Sequence, residues 1–284
     1  MVGADQAYKT LGEAAHAAGP GDTVRITPGT YQDCAIWTSS DLTIEGAGAG
    51  VVLAGPVCAG KAIFVIRADH VTISGLTFAH ARSPDGNGAG INFEGVDLTV
   101  NDATFLDNQD GILAGNNPVS TIEIRDSTFD RNGACEPRMG CAHGVYVGHI
   151  ALLRIEHSHF EGTLAGHHIK SRALSTEVLD SHIEDGTSGT SSYLIDVPNG
   201  GALLVSGNVL EKGPNTENHN AVIAIGEEGA LVTGGNVVIR DNTFTNDGPP
   251  TTLVRNRTAQ PAQLVGNVLS GNTATPLAGP GSVR

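Results

Sequence analysis

Valine and isoleucine alternate with polar residues in eight short segments of this chain. Each then passes through a turn-like pair into a large apolar residue. Four copies are strong: Val71 to Phe78, Leu98 to Phe105, Ile122 to Phe129 and Leu153 to Phe160. Four are weaker: Thr176 to Ile183, Leu203 to Leu210, Val237 to Phe244 and Gln263 to Leu269. Differences between successive end positions run from 23 to 34 residues. Period-two alternation marks strands. Its return at this spacing, without a helix between, predicts an all-β chain wound as a parallel β-solenoid. Equivalent residues of successive coils then stack about 4.8 Å apart, so residues distant in sequence can be read as columns.

A second strand series lies between the first. It comprises Gly90 to Glu94, Gly111 to Gly115, Gly144 to Gly148, His168 to Arg172, Tyr193 to Val197, Ala221 to Ile225 and Thr252 to Asn256. Side chains alternate across a strand. With Ile91, Ile112, Val145, Ile169 and Val222 inside, Asn92, Leu113, Tyr146 and Lys170 form one outward column. Glu94, Gly115, Gly148 and Arg172 form the next. A slip of one residue in Tyr193 to Val197 turns Asp196 outward and spares the core a buried carboxylate. Near the N-terminus, Ala4, Tyr8, Leu11, Ala14, Ala15 and Ala18 follow helical spacing up to Gly19-Pro20-Gly21. This predicts a short capping helix over 4–18. Residues 273–284 are rich in Pro, Gly and Ser and are expected to trail irregularly. No linker interrupts the chain, so residues 1–284 read as a single β-helix domain.

Composition fits a small-residue core with many turns: Gly 38, aromatic residues 4% and charged residues 16%. The net charge of -14 argues against a nucleic-acid or anionic-membrane partner, which needs a basic surface. An acidic polysaccharide is still accommodated if a basic cleft is local. The four cysteines allow three pairings. Cys34 with Cys58, one coil apart, and Cys135 with Cys141, in one loop, are the geometrically natural set and point to an oxidising compartment. No apolar run reaches the roughly 20 residues of a membrane span. The protein is expected to be secreted or periplasmic, with its signal peptide already removed from the chain as given. Nothing in the pattern sets an oligomeric state.

Reactive side chains concentrate in Cys141 to His149 and, one coil later, in Gly166 to Arg172. His143, His149, His157, His167 and His168 all fall in this stretch. Stacking sets Tyr146 beside Lys170 and His143 near His167 and His168. It also sets Gly148 beside Arg172, where the missing side chain is expected to leave open space. Two cations on one strand, next to a phenol and imidazoles, suit anion binding and proton transfer, although outward Lys and Arg on a strand are also ordinary solvated residues. His143, Tyr146, His168, Lys170 and Arg172 are the candidate catalytic residues. Asn92, Glu94, His149, His167, Tyr193 and Asp196 are the candidate substrate-binding residues.

Other chemistries fit less well. No His-Glu-X-X-His motif occurs, and the adjacent His167 and His168 face opposite sides of a strand, so no metal ligands and no cofactor are assigned. Calcium stays open at Asp107, Asn108, Asp110, Asn116 and Asn117, but turn chemistry and a stacked ladder explain these better. Asn108, Asn132, Asn208, Asn242 and Asn267 read as structural turn residues. Glycoside hydrolysis needs a carboxylate pair, and Asp180, Glu184 and Asp185 do not pair with the basic strip. Ser171, between Lys170 and Arg172, should face inward.

The segment Ile124-Arg125-Asp126-Ser127-Thr128-Phe129 with its Asn132-Gly133 turn, the early Thr27-Pro28-Gly29-Thr30-Tyr31 turn and the N-terminal helix resemble the right-handed parallel β-helix superfamily. That group includes pectate lyases, alginate lyases and alginate epimerases, and the resemblance covers nearly the whole chain. It implies a single-stranded right-handed parallel β-helix. The Asp-Pro-His-Asp run of the epimerases is absent, and no acidic calcium ladder stands out. The expected activity is a polysaccharide lyase cleaving a uronic-acid polymer by β-elimination. A C5-epimerase and a non-catalytic carbohydrate-binding or structural solenoid are the alternatives. In a lyase, Arg172 would neutralise the carboxylate, Lys170 or His168 would take the C5 proton, and Tyr146 or His143 would protonate the leaving oxygen.

Overall fold

The computed structural model describes residues 1–136 and 140–284 and forms a parallel β-solenoid of about nine turns. Most coils contribute three strands. The first face is an 11-stranded sheet that starts at Thr23–Ile26, passes through Asp97–Asn101, Ile150–Glu156 and Ser175–Leu179, and ends at Gly281–Val283. The second face stacks Gly29–Tyr31, Val51–Ala54, Thr77–Ala79, Thr104–Leu106, Thr128–Asp130, His159–Glu161, His182–Glu184 and Val209–Lys212. The third stacks Ala35–Trp37, Ala62–Ile66, Ala89–Phe93, Asp110–Ala114, Val145–Val147, Ile169–Ser171, Ile195–Val197 and Ala221–Ile225. In the last coils Thr243–Asn256 and Val268–Ala278 run unbroken across the second and third faces.

The apolar ends of the repeats become an internal column. The rings of Phe78, Phe105, Phe129 and Phe160 stack with centroids 5.2, 4.6 and 4.4 Å apart. The turn-like pairs before them form one corner. Of their first residues, Asp102, Asp126, His157, Asp180 and Asp241 have φ between 44° and 56°, a region that Asp and Asn tolerate better than bulkier residues. Where the second residue of a pair is Ser or Asn, its side chain reaches the coil before. Ser158 Oγ accepts from Ser127 N–H, and Asn208 Oδ1 accepts from Ser181 N–H at 2.9 Å. Asn208, Asn242 and Asn267 extend this ladder through amide contacts of 2.9 and 2.8 Å. Asn108 and Asn132 build a separate ladder at the next corner, at 3.0 Å.

Two expectations change at the ends. The helix spans Leu11–Ala17 and not 4–18, because Thr10 caps it with a reciprocal Glu13 contact and Val2 is drawn into bridges with Ile26 and Tyr8. The tail is not irregular: Val268–Ala278 carries it across two faces, and Gly281–Val283 adds the last strand of the first. Cys34 pairs with Cys58 and Cys135 with Cys141. Among the described residues, no helix is long and apolar enough to cross a membrane.

Candidate functional site

The third face places the reactive column. Its register pairs Asn92 with Leu113, Leu113 with Tyr146, Tyr146 with Lys170 and Lys170 with Asp196. Val145, Ile169 and Ile195 are fully buried on the inner side, so the alternate residues are driven outward. Asp196 takes the outward position reached by the one-residue slip. The same register sets Ile223, and not Val222, opposite Ile195.

Six side chains converge at the end of this column. Lys170 Nζ lies 2.7 Å from Glu228 Oε1 and 3.5 Å from Asp196 Oδ2. Arg172 donates to Tyr146 Oη at 3.1 Å, to Asn199 Oδ1 at 2.6 Å and to Glu228 Oε2 at 2.5 Å. One carboxylate therefore bridges the ammonium and the guanidinium in front of the phenol. Burial acts against the charge of Glu228, but the hydrogen bonds from Lys170 and Arg172 hold its pKa below the usual carboxylate value. Burial likewise opposes the charge on Arg172, and its bonds to Glu228 and Tyr146 raise its pKa nonetheless.

Imidazoles and a phenol wall the site. His143 and His167 stack with ring centroids 4.9 Å apart, and His167 stacks on Tyr193 at 5.2 Å. Gly166 permits this approach, because it has φ +63° and a Cβ there would meet Ala142 O at 2.1 Å. His143 Nδ1 accepts the His167 N–H, and His167 Nδ1 accepts the Tyr193 N–H, both at 3.0 Å. Each neutral ring thus keeps its proton on Nε2, and that of His167 faces Asp196 Oδ2 at 3.4 Å. Burial, then Lys170 and Lys212, push His167 down to about 3. Burial, then His167, Lys170 and Arg172, put His143 well below the ordinary imidazole value. Asp196 moves the other way, up to about 6, mainly through burial. The resulting cleft has a volume of about 310 Å³ and is lined by Cys141, His143, Gly166, His167, Lys170, Ser192 and Glu217. The Cys135–Cys141 hairpin supports its rim.

Several expected site residues lie elsewhere. His168 is fully buried; its ring contacts Thr163 Oγ1 at 2.9 Å and Asp185 Oδ1 at 3.0 Å, with Lys212 on the other carboxylate oxygen at 3.7 Å. The strand proper begins at Ile169, and the residue before it turns into the corner. Gly90 and Gly111 occupy the same position beside the Phe stack in earlier coils. His168 therefore meets no substrate. Asp185 is carried down to about 2 in this interior network: burial raises it, but His168 and Lys212 outweigh burial. Glu94 is held by Lys61 and Arg67. Asn92 is buried two coils from Tyr146. His149 follows the corner, where its N–H donates to Asn116, and among the described residues its side chain makes no hydrogen bond to the cluster. Gly148 leaves no open space before Arg172, since a Cβ there would meet Asn116 and Gly115 within 3 Å. His157 is a corner turn residue.

The residues weighed for calcium are also engaged. Asp107 pairs with His80 and Arg82, Asn108 sits in its ladder, and Asn117 donates to Gly95. Buried Asp110 accepts the His143 N–H at 2.7 Å and is raised to about 8 chiefly by burial, so it anchors that histidine as a neutral acid. Glu228 and Asn199 escaped the sequence reading. Glu228 lies in a loop 56 residues beyond Arg172, outside any column.

Comparison with solved structures matches this architecture. An alginate lyase from a Paenibacillus species superposes with a TM-score of 0.68 at 21% identity, covering 96% of each chain. A pectin methylesterase from Aspergillus niger gives 0.52 at 12%, over 95% of this chain and 84% of that one. A pectate lyase gives 0.51 at 14%, over 94% and 75%. The chain has the pectate lyase-like parallel β-helix fold. No family model matches the sequence, and no curated protein matches it. Identities this low carry the architecture and no more.

Proposed function

We propose that the cluster on the third face is the active site of a polysaccharide lyase that cleaves a uronic-acid polymer by β-elimination. The observation that carries this reading is the Glu228 carboxylate, held by Lys170 and by Arg172, which also donates to the Tyr146 phenol. A uronate carboxylate arriving at Arg172 takes the same fork. Neutralising it acidifies the C5 proton and stabilises the enolate-like intermediate, the largest electrostatic task of the reaction. Lys170, once its ammonium proton has passed to Asp196, removes the C5 proton as a free amine. Tyr146 accepts a hydrogen bond from Arg172 and keeps its own hydrogen free for the leaving oxygen. Asp196 receives the proton from Lys170, and its pKa near 6 suits a relay at neutral pH.

Two further features support the reading. The site adjoins a concave cleft lined by Lys170, His143 and His167, which favours a reactive site over a passive binding surface. The neighbouring lyases of this fold act on alginate and pectate, both uronate polymers. His143, His167 and Tyr193 offer stacked rings for a sugar face. In the test, Lys170→Ala and Arg172→Ala each abolish formation of unsaturated product from a uronate polymer while the thermal unfolding midpoint stays nearly unchanged. Turnover retained by either variant refutes the assignment.

A further inference from the structure

The second face carries an outward column that the proposed reaction does not use. His159-Phe160-Glu161 and His182-Ile183-Glu184 repeat the same pattern one coil apart. The coils set His159 against His182 and Glu161 against Glu184 in register. Phe160 and Ile183 are fully buried, so period two directs both histidines and both glutamates outward on one side. The imidazole rings stack 5.0 Å apart. Glu184 spans them, with Oε1 3.1 Å from His159 Nε2 and Oε2 3.1 Å from His182 Nε2. The donor atoms of these three residues all lie within 4.8 Å of one another, and the side chains are reachable from solvent, with 39%, 45% and 27% of His159, His182 and Glu184 exposed.

The surroundings favour a cation. Asp130, Glu161, Glu184 and Glu211 occupy the same register position on four successive coils. This is the acidic ladder that the sequence did not announce, since its members sit in segments of unequal spacing. Like charges placed directly opposite on adjacent strands are destabilising. Glu211 reflects the crowding: burial first, then Asp185, Asp247 and Glu184 raise it to about 7 against a bond from Gly186 N–H.

We propose that His159, His182 and Glu184 form a surface site for a borderline dication such as Zn2+, which clips two adjacent coils together. Two imidazole nitrogens and a carboxylate oxygen are a zinc donor set, and imidazole selects against hard Ca2+ and Mg2+. The ion takes the ring nitrogens that face Glu184, any proton there passing to the other ring nitrogen or to water, and water completes a four-coordinate shell. Such an ion lies on a different face from Lys170 and Arg172 and takes no part in elimination.

The test is calorimetric titration of the metal-free full chain with ZnCl2. One ion binds per chain, His159→Ala and His182→Ala each weaken binding by at least about tenfold, and substitution of an exposed histidine that pairs with Asp97 instead, His70→Ala, leaves it unchanged. Zn2+ raises the unfolding temperature of the unsubstituted chain but not of the His182→Ala variant, and circular dichroism establishes that both variants are folded. Absence of saturable binding overturns the proposal. So does binding that survives both histidine substitutions, binding abolished instead by His167→Ala, or equal affinity for CaCl2.

Discussion

Replacing Glu228 by glutamine tests whether the substrate carboxylate displaces an internal one. Glu228 sits 2.7 Å from Lys170 Nζ and 2.5 Å from Arg172 Nη2, and its side chain is 44% exposed. At ordinary surface dielectric each contact contributes about 1 kcal/mol or less. Glutamine keeps the shape and one acceptor but removes the charge. A uronate that competes with Glu228 for Arg172 then binds more tightly by about 1 kcal/mol, roughly a fivefold fall in KM. Tyr146 and Asn199 keep Arg172 in place, so kcat changes little. Stability falls only slightly, because an exposed ion pair contributes little. The assay is initial-rate kinetics on a soluble uronate polymer across substrate concentration, with the unfolding midpoint measured beside it. If KM rises or stays constant in Glu228→Gln, the carboxylate does not stand where the substrate's does, and the displacement argument fails.

Three other outcomes follow from the same geometry. kcat/KM should rise with pH through about 6 as Asp196 ionises, and Asp196→Asn should lose that limb. In stability the sign is opposite: the neutral Asp196 contributes fully below its ordinary pKa of 3.8, and this is lost as pH rises through about 6. Asp196→Asn should therefore lose less stability than the unsubstituted chain between those pH values, as read by thermal unfolding in a pH series. Asn242→Ala removes buried amide contacts to Val205 O, Asn208 and Asn267 of 2.8 to 3.0 Å, so denaturant unfolding should show a loss of about 2–4 kcal/mol with unchanged KM.

Much of this was legible in the chain because a solenoid converts sequence spacing into position. The alternation gave Asn92, Leu113, Tyr146 and Lys170 as a column, and the ladder of strand pairs repeats that order. What local alternation does not describe is the corner. There two consecutive residues turn inward, so His168 enters the interior beside Ile169, and the polar groups that receive it, Asp185 and Lys212, come from later coils. Glu228 was hidden for a related reason: it belongs to a loop whose path is set by tertiary contacts, 58 residues from its lysine partner. Glu94 kept its predicted place on the face but was drawn to Lys61 and Arg67, a competition that spacing does not weigh. The end of the chain reads as irregular from its Pro and Gly content, yet the stacked edge of the preceding coil supplies backbone partners that carry it on as strand.

If Tyr146, Lys170 and Arg172 break a uronate chain by elimination, the fate of solvent atoms records it. Digestion of alginate and of pectate in heavy-oxygen water, with products read by mass spectrometry, should give shortened chains with one unsaturated end per cleavage and no solvent oxygen incorporated. Shortened chains that carry the heavy oxygen would mean hydrolysis, and chains of unchanged length that take up solvent hydrogen at C5 would mean epimerisation. Either result would rule out elimination by these residues, as would no reaction on any uronate polymer.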